Sequence, residues 1–76
     1  MEIKFDYRAL RGRIVYKCGT VDAFAKEMGV SLHSISNYLN NHIGWRQKDI
    51  FKALSVLDIR PEEIGVYFFT PAVQYD

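Results

Sequence analysis

Residues 20–40 read TVDAFAKEMGVSLHSISNYLN, and the fold is decided there. Val21, Phe24, Ala25 and Met28 recur at i, i+3, i+4 and i+7, which is one face of a helix. Thr20 before them suits an N-cap, and Asp22 suits the positive end of the helix dipole. Gly29 supplies the left-handed residue that ends a helix at least cost. Val30 then tucks into a corner, and Ser31 caps a second helix whose buried stripe is Leu32, Ile35, Tyr38 and Leu39. Two short helices, a glycine turn and small Ala25 where they cross predict a helix-turn-helix.

The flanks extend this into an all-α chain of five helices. Residues 1–5 alternate polar and apolar, with Ile3 and Phe5 on one side, and form either a short edge strand or an arm pinned by Phe5. Asp6 is the expected N-cap of a first helix that runs to about Cys18 and stops at Gly19. Tyr7, Leu10, Ile14 and Cys18 line its buried face, widened by Val15, while Arg8, Arg11, Arg13 and Lys17 read as its solvated side. Gly12 in mid-helix costs about 1 kcal/mol against Ala and suggests close packing with a neighbour.

Residues 40–44 form a loop, and Trp45 beyond it packs over the end of the third helix or positions that loop. A fourth helix begins at Arg46 or Gln47 and ends near Leu57, burying Ile50, Ala53, Leu54 and Leu57 with Phe51 and Val56 at its flanks. After a break at residues 58–60, Pro61, Glu62 and Glu63 announce a short fifth helix. It carries Ile64, Val66, Tyr67, Phe68 and Phe69, more apolar surface than so short a helix needs. Residues 72–76 are a tail.

At 76 residues the chain has room for a single domain, 1–76, and none for a separate sensor or catalytic module. Its hydrophobic content of 49% supports a small core of modest stability, which oligomerisation would help. A net charge of +1 gives non-specific nucleic-acid binding little support, although a basic face can hide in a neutral total. Cys18 is the sole cysteine, so no internal disulfide or cysteine-based zinc site can form. No stretch is long or apolar enough for a signal peptide or membrane span, and a cytoplasmic protein of a bacterial host is expected. His33 and His42 have no carboxylate placed to orient them, and no nucleophile, phosphate-loop or metal-ligand spacing is present. Neither an enzyme, a metal site nor a cofactor is expected.

Ala25, Gly29, Val30, Ser31 and Ile35 resemble the helix-turn-helix of phage repressors and Cro proteins. The flanking FDYRALRGRIVYKCGT and RPEEIGVYFFTP resemble small Cro-type regulators of phages of Gram-positive bacteria, so the likeness spans residues 5 to 71. It implies a repressor-like domain that binds a two-fold operator on double-stranded DNA as a homodimer.

Were the third helix to lie in a major groove, Leu32, His33, Ser36 and Asn37 would face the bases. Asn37 is the best base reader, because its amide can pair with adenine N6 and N7, and Leu32 could touch a thymine methyl. The resemblance places Asn40 at a phosphate, with Asn41, Arg46 and Lys48 close enough to join it and Ser34 at the helix edge. Thr20, with the free N–H groups beside it, forms a second phosphate site. The run Tyr67, Phe68 and Phe69 is core for the most part, and its surplus, together with the tail, is the expected dimer surface.

Two features depart from that pattern. Val21 stands where related repressors place a glutamine, and the third helix carries no Lys or Arg. Tyr38 occupies the family's last buried position, so either it or Leu39 completes the core, with Tyr38 otherwise directed at DNA or a partner. A rival function uses the same shape: a protein-binding anti-repressor or modulator that docks on another phage regulator. Near-neutral charge, an uncharged third helix and surplus aromatics suit it. A third option, a structural phage component, has only compactness in its favour.

Overall fold

A computed structural model describes residues 4–72, so residues 1–3 of the expected strand or arm and residues 73–76 of the expected tail lie outside the described residues. All five expected helices are present: α1 (Arg8–Cys18), α2 (Val21–Met28), α3 (Leu32–Leu39), α4 (Gln47–Leu57) and α5 (Ile64–Phe68). A 3₁₀ turn, Pro61–Glu63, leads into α5. Among the described residues the arm makes an isolated antiparallel bridge, Phe5 opposite Pro71. Asp6 N–H donates to the Thr70 carbonyl at 2.7 Å, and Ala72 N–H donates to the Lys4 carbonyl at 2.8 Å.

The helix ends follow local chemistry. Thr20 Oγ1 accepts from Ala23 N–H, and Ser31 Oγ accepts from Ser34 N–H, so both helices of the helix-turn-helix carry side-chain caps. Gly29 at φ 68 is left-handed, and Val30 N–H reaches back to the Ala25 carbonyl, closing a Schellman turn. The end of α4 repeats this with a non-glycine residue. Asp58 takes φ 56, Ile59 N–H donates to the Leu54 carbonyl, and the Ile59 side chain is driven into the core. Asp6 is one residue outside its expected place. The N-cap is Tyr7, and the Asp6 carboxylate instead accepts from Arg8 N–H and the Arg8 guanidinium. That exposed pairing holds the Asp6 carboxyl below its usual range.

Two arginines of α1 do more than solvate it. Arg13 donates to the carbonyls of Leu57 and Asp58, each at 2.8 Å, satisfying groups that the end of α4 leaves open. Arg11 reaches the end of α3, donating to Asn40 Oδ1 at 3.0 Å. The first helix thus holds the C-terminal ends of α3 and α4, and the core closes among Leu10, Ile14, Phe24, Ile35, Leu57 and Phe68, all fully or nearly fully buried.

Gly12 departs from expectation. A Cβ built there meets nothing within 4 Å, so no close packing requires the glycine. Gly12→Ala should therefore stabilise the protein by about 0.5–1 kcal/mol through helix propensity alone. Thermal unfolding should show Tm a few degrees higher; an unchanged or lowered Tm would disprove the open-space account.

Candidate functional site

The outer face of α3 is where recognition was expected, and its polar groups are largely engaged with one another. The Asn37 amide sits between two imidazoles, Nδ2 3.3 Å from His33 Nε2 and Oδ1 3.2 Å from His42 Nδ1. The backbone repeats the link, because the Asn37 carbonyl accepts from His42 N–H at 2.9 Å. An amide held this way has to break two contacts before it can pair with a base edge. His33 and Leu32 are exposed and Ser36 is half-buried, so these three do lie on the outward side. Leu32, at 45% exposure, is not part of the buried stripe expected of it. Nothing on α3 is charged.

The residues assigned to phosphates are dispersed. Ser34, Arg46 and Lys48 share a shallow hollow of about 220 Å³ beside Val30 and Ile43. Thr20 Oγ1 is spent on its cap, at the far end of α2. Asn40 accepts from Arg11. Asn41, left-handed at φ 60, is committed to the arm: its Oδ1 accepts from Phe5 N–H and its Nδ2 donates to the Phe5 carbonyl, both at 2.9 Å. Its amide stands in for a third strand and closes the outer edge of the bridge at Phe5.

Tyr38 points inward. Both Tyr38 and Leu39 are buried, at 2% and 4% exposure, so the core takes both. The phenol donates to Asp49 Oδ2, and Asp49 is the buried polar residue of α4. Burial first, and the hydrogen bond to Asp49 second, push the Tyr38 phenol above its ordinary value and keep it a donor through neutral pH. Trp45 stacks on the other side of the Tyr38 ring, centroids 4.4 Å apart and planes within 15°, and meets Phe68 edge-on at 5.0 Å. Its expected place over the end of α3 is the observed one.

Asp49 escaped the sequence reading. The signal was available, since Asp49, Ala53 and Leu57 recur at i, i+4 and i+8 along the buried stripe of α4. Phe68 also needs correction. At 1% exposure it is core and offers nothing to a dimer, while Tyr67 is half-buried and Phe69 is 49% exposed. Among the described residues no group of three or more His, Cys, Asp and Glu could hold a metal. No helix among them is long and apolar enough to cross a membrane.

Comparison with known proteins adds two findings. A family model described as protein of unknown function (DUF739) matches residues 3–71. The solution structure of the modulator of repression (MOR) of the temperate bacteriophage TP901-1 from Lactococcus lactis superposes with a TM-score of 0.77. It is 43% identical, with 86% of this chain and 88% of that chain covered. No curated protein matches significantly. These findings correct the Cro-type resemblance and the reading of a DNA-binding repressor: the likeness is to a modulator of repression. Double-stranded DNA and a homodimer gain no support as partners. The helix-turn-helix geometry was read correctly, but that geometry does not carry its commonest function with it.

Proposed function

We propose, from the premise that this chain belongs to the DUF739 family, that it is a protein-binding modulator that docks on another phage regulator. It acts by occupying that regulator rather than an operator, and it is not an enzyme. The observation that carries this reading is the 43% identity to a phage modulator of repression, sustained over 86% of the chain. The chemistry of α3 supports it: an uncharged helix whose central amide is held by two histidines is poorly equipped for a polyanion.

The test mixes the protein with a candidate phage repressor and follows association by calorimetry and size-exclusion chromatography. A complex should form and change little between about 50 and 200 mM salt, a range over which phosphate-driven binding falls by roughly 10³–10⁵. The protein alone should not shift operator DNA. A selective, salt-steep shift by the protein alone, with no complex formed, would overturn the reading.

A further inference from the structure

The cations of this chain are unevenly engaged. Arg8, Lys17, Lys26 and Arg60 each meet a carboxylate, while Arg11 and Arg13 hold the ends of α3 and α4. Arg46, Lys48 and Lys52 are exposed and form no ion pair among the described residues. Lys48 and Lys52 stand at i and i+4 on α4, and Arg46 is its N-cap residue. Arg46 and Lys48 line the hollow of about 220 Å³ beside α3. Lys52 reaches the Gly29 wall of that hollow, its Nζ 3.7 Å from where a Cβ on Gly29 would stand.

The lining offers these cations no free counter-charge. Its one acid, Asp49, is buried and accepts from the Tyr38 phenol. Beside the cations the wall is apolar, made by Ile43, 48% exposed, and half-buried Val30. A hollow of this size falls short of the roughly 300–1,000 Å³ of small-ligand pockets, yet it admits a single side chain.

We infer that this face docks an acidic segment of the partner regulator. One apolar side chain of that segment packs on Ile43 and Val30, and its carboxylates meet Arg46, Lys48 and Lys52. The inference rests on the protein-binding reading above and gives that reading its surface. Charge complementarity sets the occupant: three cations without counter-charge call for an anionic partner, and the apolar wall beside them for one that also carries hydrophobic side chains. Duplex DNA meets the first requirement and fails the second. The adjoining α3 also carries no cation that would extend a phosphate track.

Lys48 and Lys52 are exposed, and an acid in the first turn of α4 suits the helix dipole, so Lys48→Glu with Lys52→Glu should keep the fold. The experiment measures association and dissociation of the phage repressor used in the test above, with wild type, with this α4 pair and with Ile43→Ser. Arg8→Glu with Lys17→Glu, on α1 and outside the hollow, matches the change in net charge. Amide spectra confirm that each variant is folded. At about 50 mM salt the α4 pair should bind about tenfold or more weakly, chiefly through slower association, and the gap should narrow at about 200 mM. Ile43→Ser should dissociate about tenfold faster, and the α1 pair should stay within about twofold of wild type. Wild type itself should lose only a few-fold across that salt range, against roughly 10³–10⁵ for phosphate-driven binding. Equal weakening by both charge-reversed pairs, none by the α4 pair, or indifference to Ile43→Ser overturns this inference and leaves the protein-binding reading standing. No complex with wild type, or binding of duplex DNA in its place that the α4 pair abolishes, overturns both.

Discussion

Replacing Phe68 with alanine is expected to remove about 3–5 kcal/mol, a large share of the stability that so small a chain has. The ring is 1% exposed, packs edge-on to Trp45 at 5.0 Å and joins α5 to the core. Large-to-small changes at such sites cost about 3–5 kcal/mol through lost transfer energy and the cavity left behind. A chain of this size has only about 4–11 kcal/mol in total. Circular dichroism and urea titration should find the midpoint collapsed, with the native fraction near zero if stability lies at the low end. Phe69→Ala should cost only about 1 kcal/mol, chiefly its edge contact with Phe5 at 5.8 Å. If Phe68→Ala were instead as stable as wild type, the ring would belong to the surplus at a surface and not to the core.

Tyr38→Phe should give the second large loss. It removes a hydroxyl and no packing, yet it strips a buried carboxylate of its phenolic donor. Asp49 is 8% exposed, and a buried acceptor left unpaired costs about 1–3 kcal/mol, more when charged. Taking about 2 kcal/mol, Tm should fall by roughly 10 °C. Tyr38→Phe combined with Asp49→Asn should cost less than the sum of the single changes, the sign of a coupled pair. The dependence on pH has a definite direction. A phenol whose value is raised by folding contributes stability that is intact at neutral pH and is lost as the pH climbs through the alkaline range. Tyr38→Phe should therefore flatten part of the alkaline limb, and buried Tyr7, raised by its own desolvation, accounts for part of the remainder. A Tm within a degree of wild type would mean that Asp49 has another partner.

How much was legible can be argued from single positions. Gly29 and Thr20 announced their helix ends because a left-handed turn and a cap are properties of a few adjacent residues. Arg13 could not be read in that way. On its own helix it is one more polar side chain, and only the approach of α4 gives it two carbonyls to hold. Asn41 looked like a phosphate ligand after a recognition helix until the arm folded back and took both ends of its amide. Asn37 looked like a base reader until His33 and His42, four residues before it and five after, closed on it from both sides.

Trp45 and Phe68 show the same limit for apolar residues. Hydrophobic patterning says that a ring will be buried, but not which rings fill the core and which are left at its edge. Periodicity, caps and turn residues act over one or two helical turns, so the sequence by itself determined five helices, most of their ends and the helix-turn-helix. These hydrogen bonds depend on residues 29 to 45 positions apart meeting in space, as in Arg11 with Asn40, Phe5 with Asn41 and Arg13 with Asp58. Only the tertiary structure decided that Asn41 is committed to the arm, that Arg13 holds the end of α4, and that Tyr38 belongs to the core.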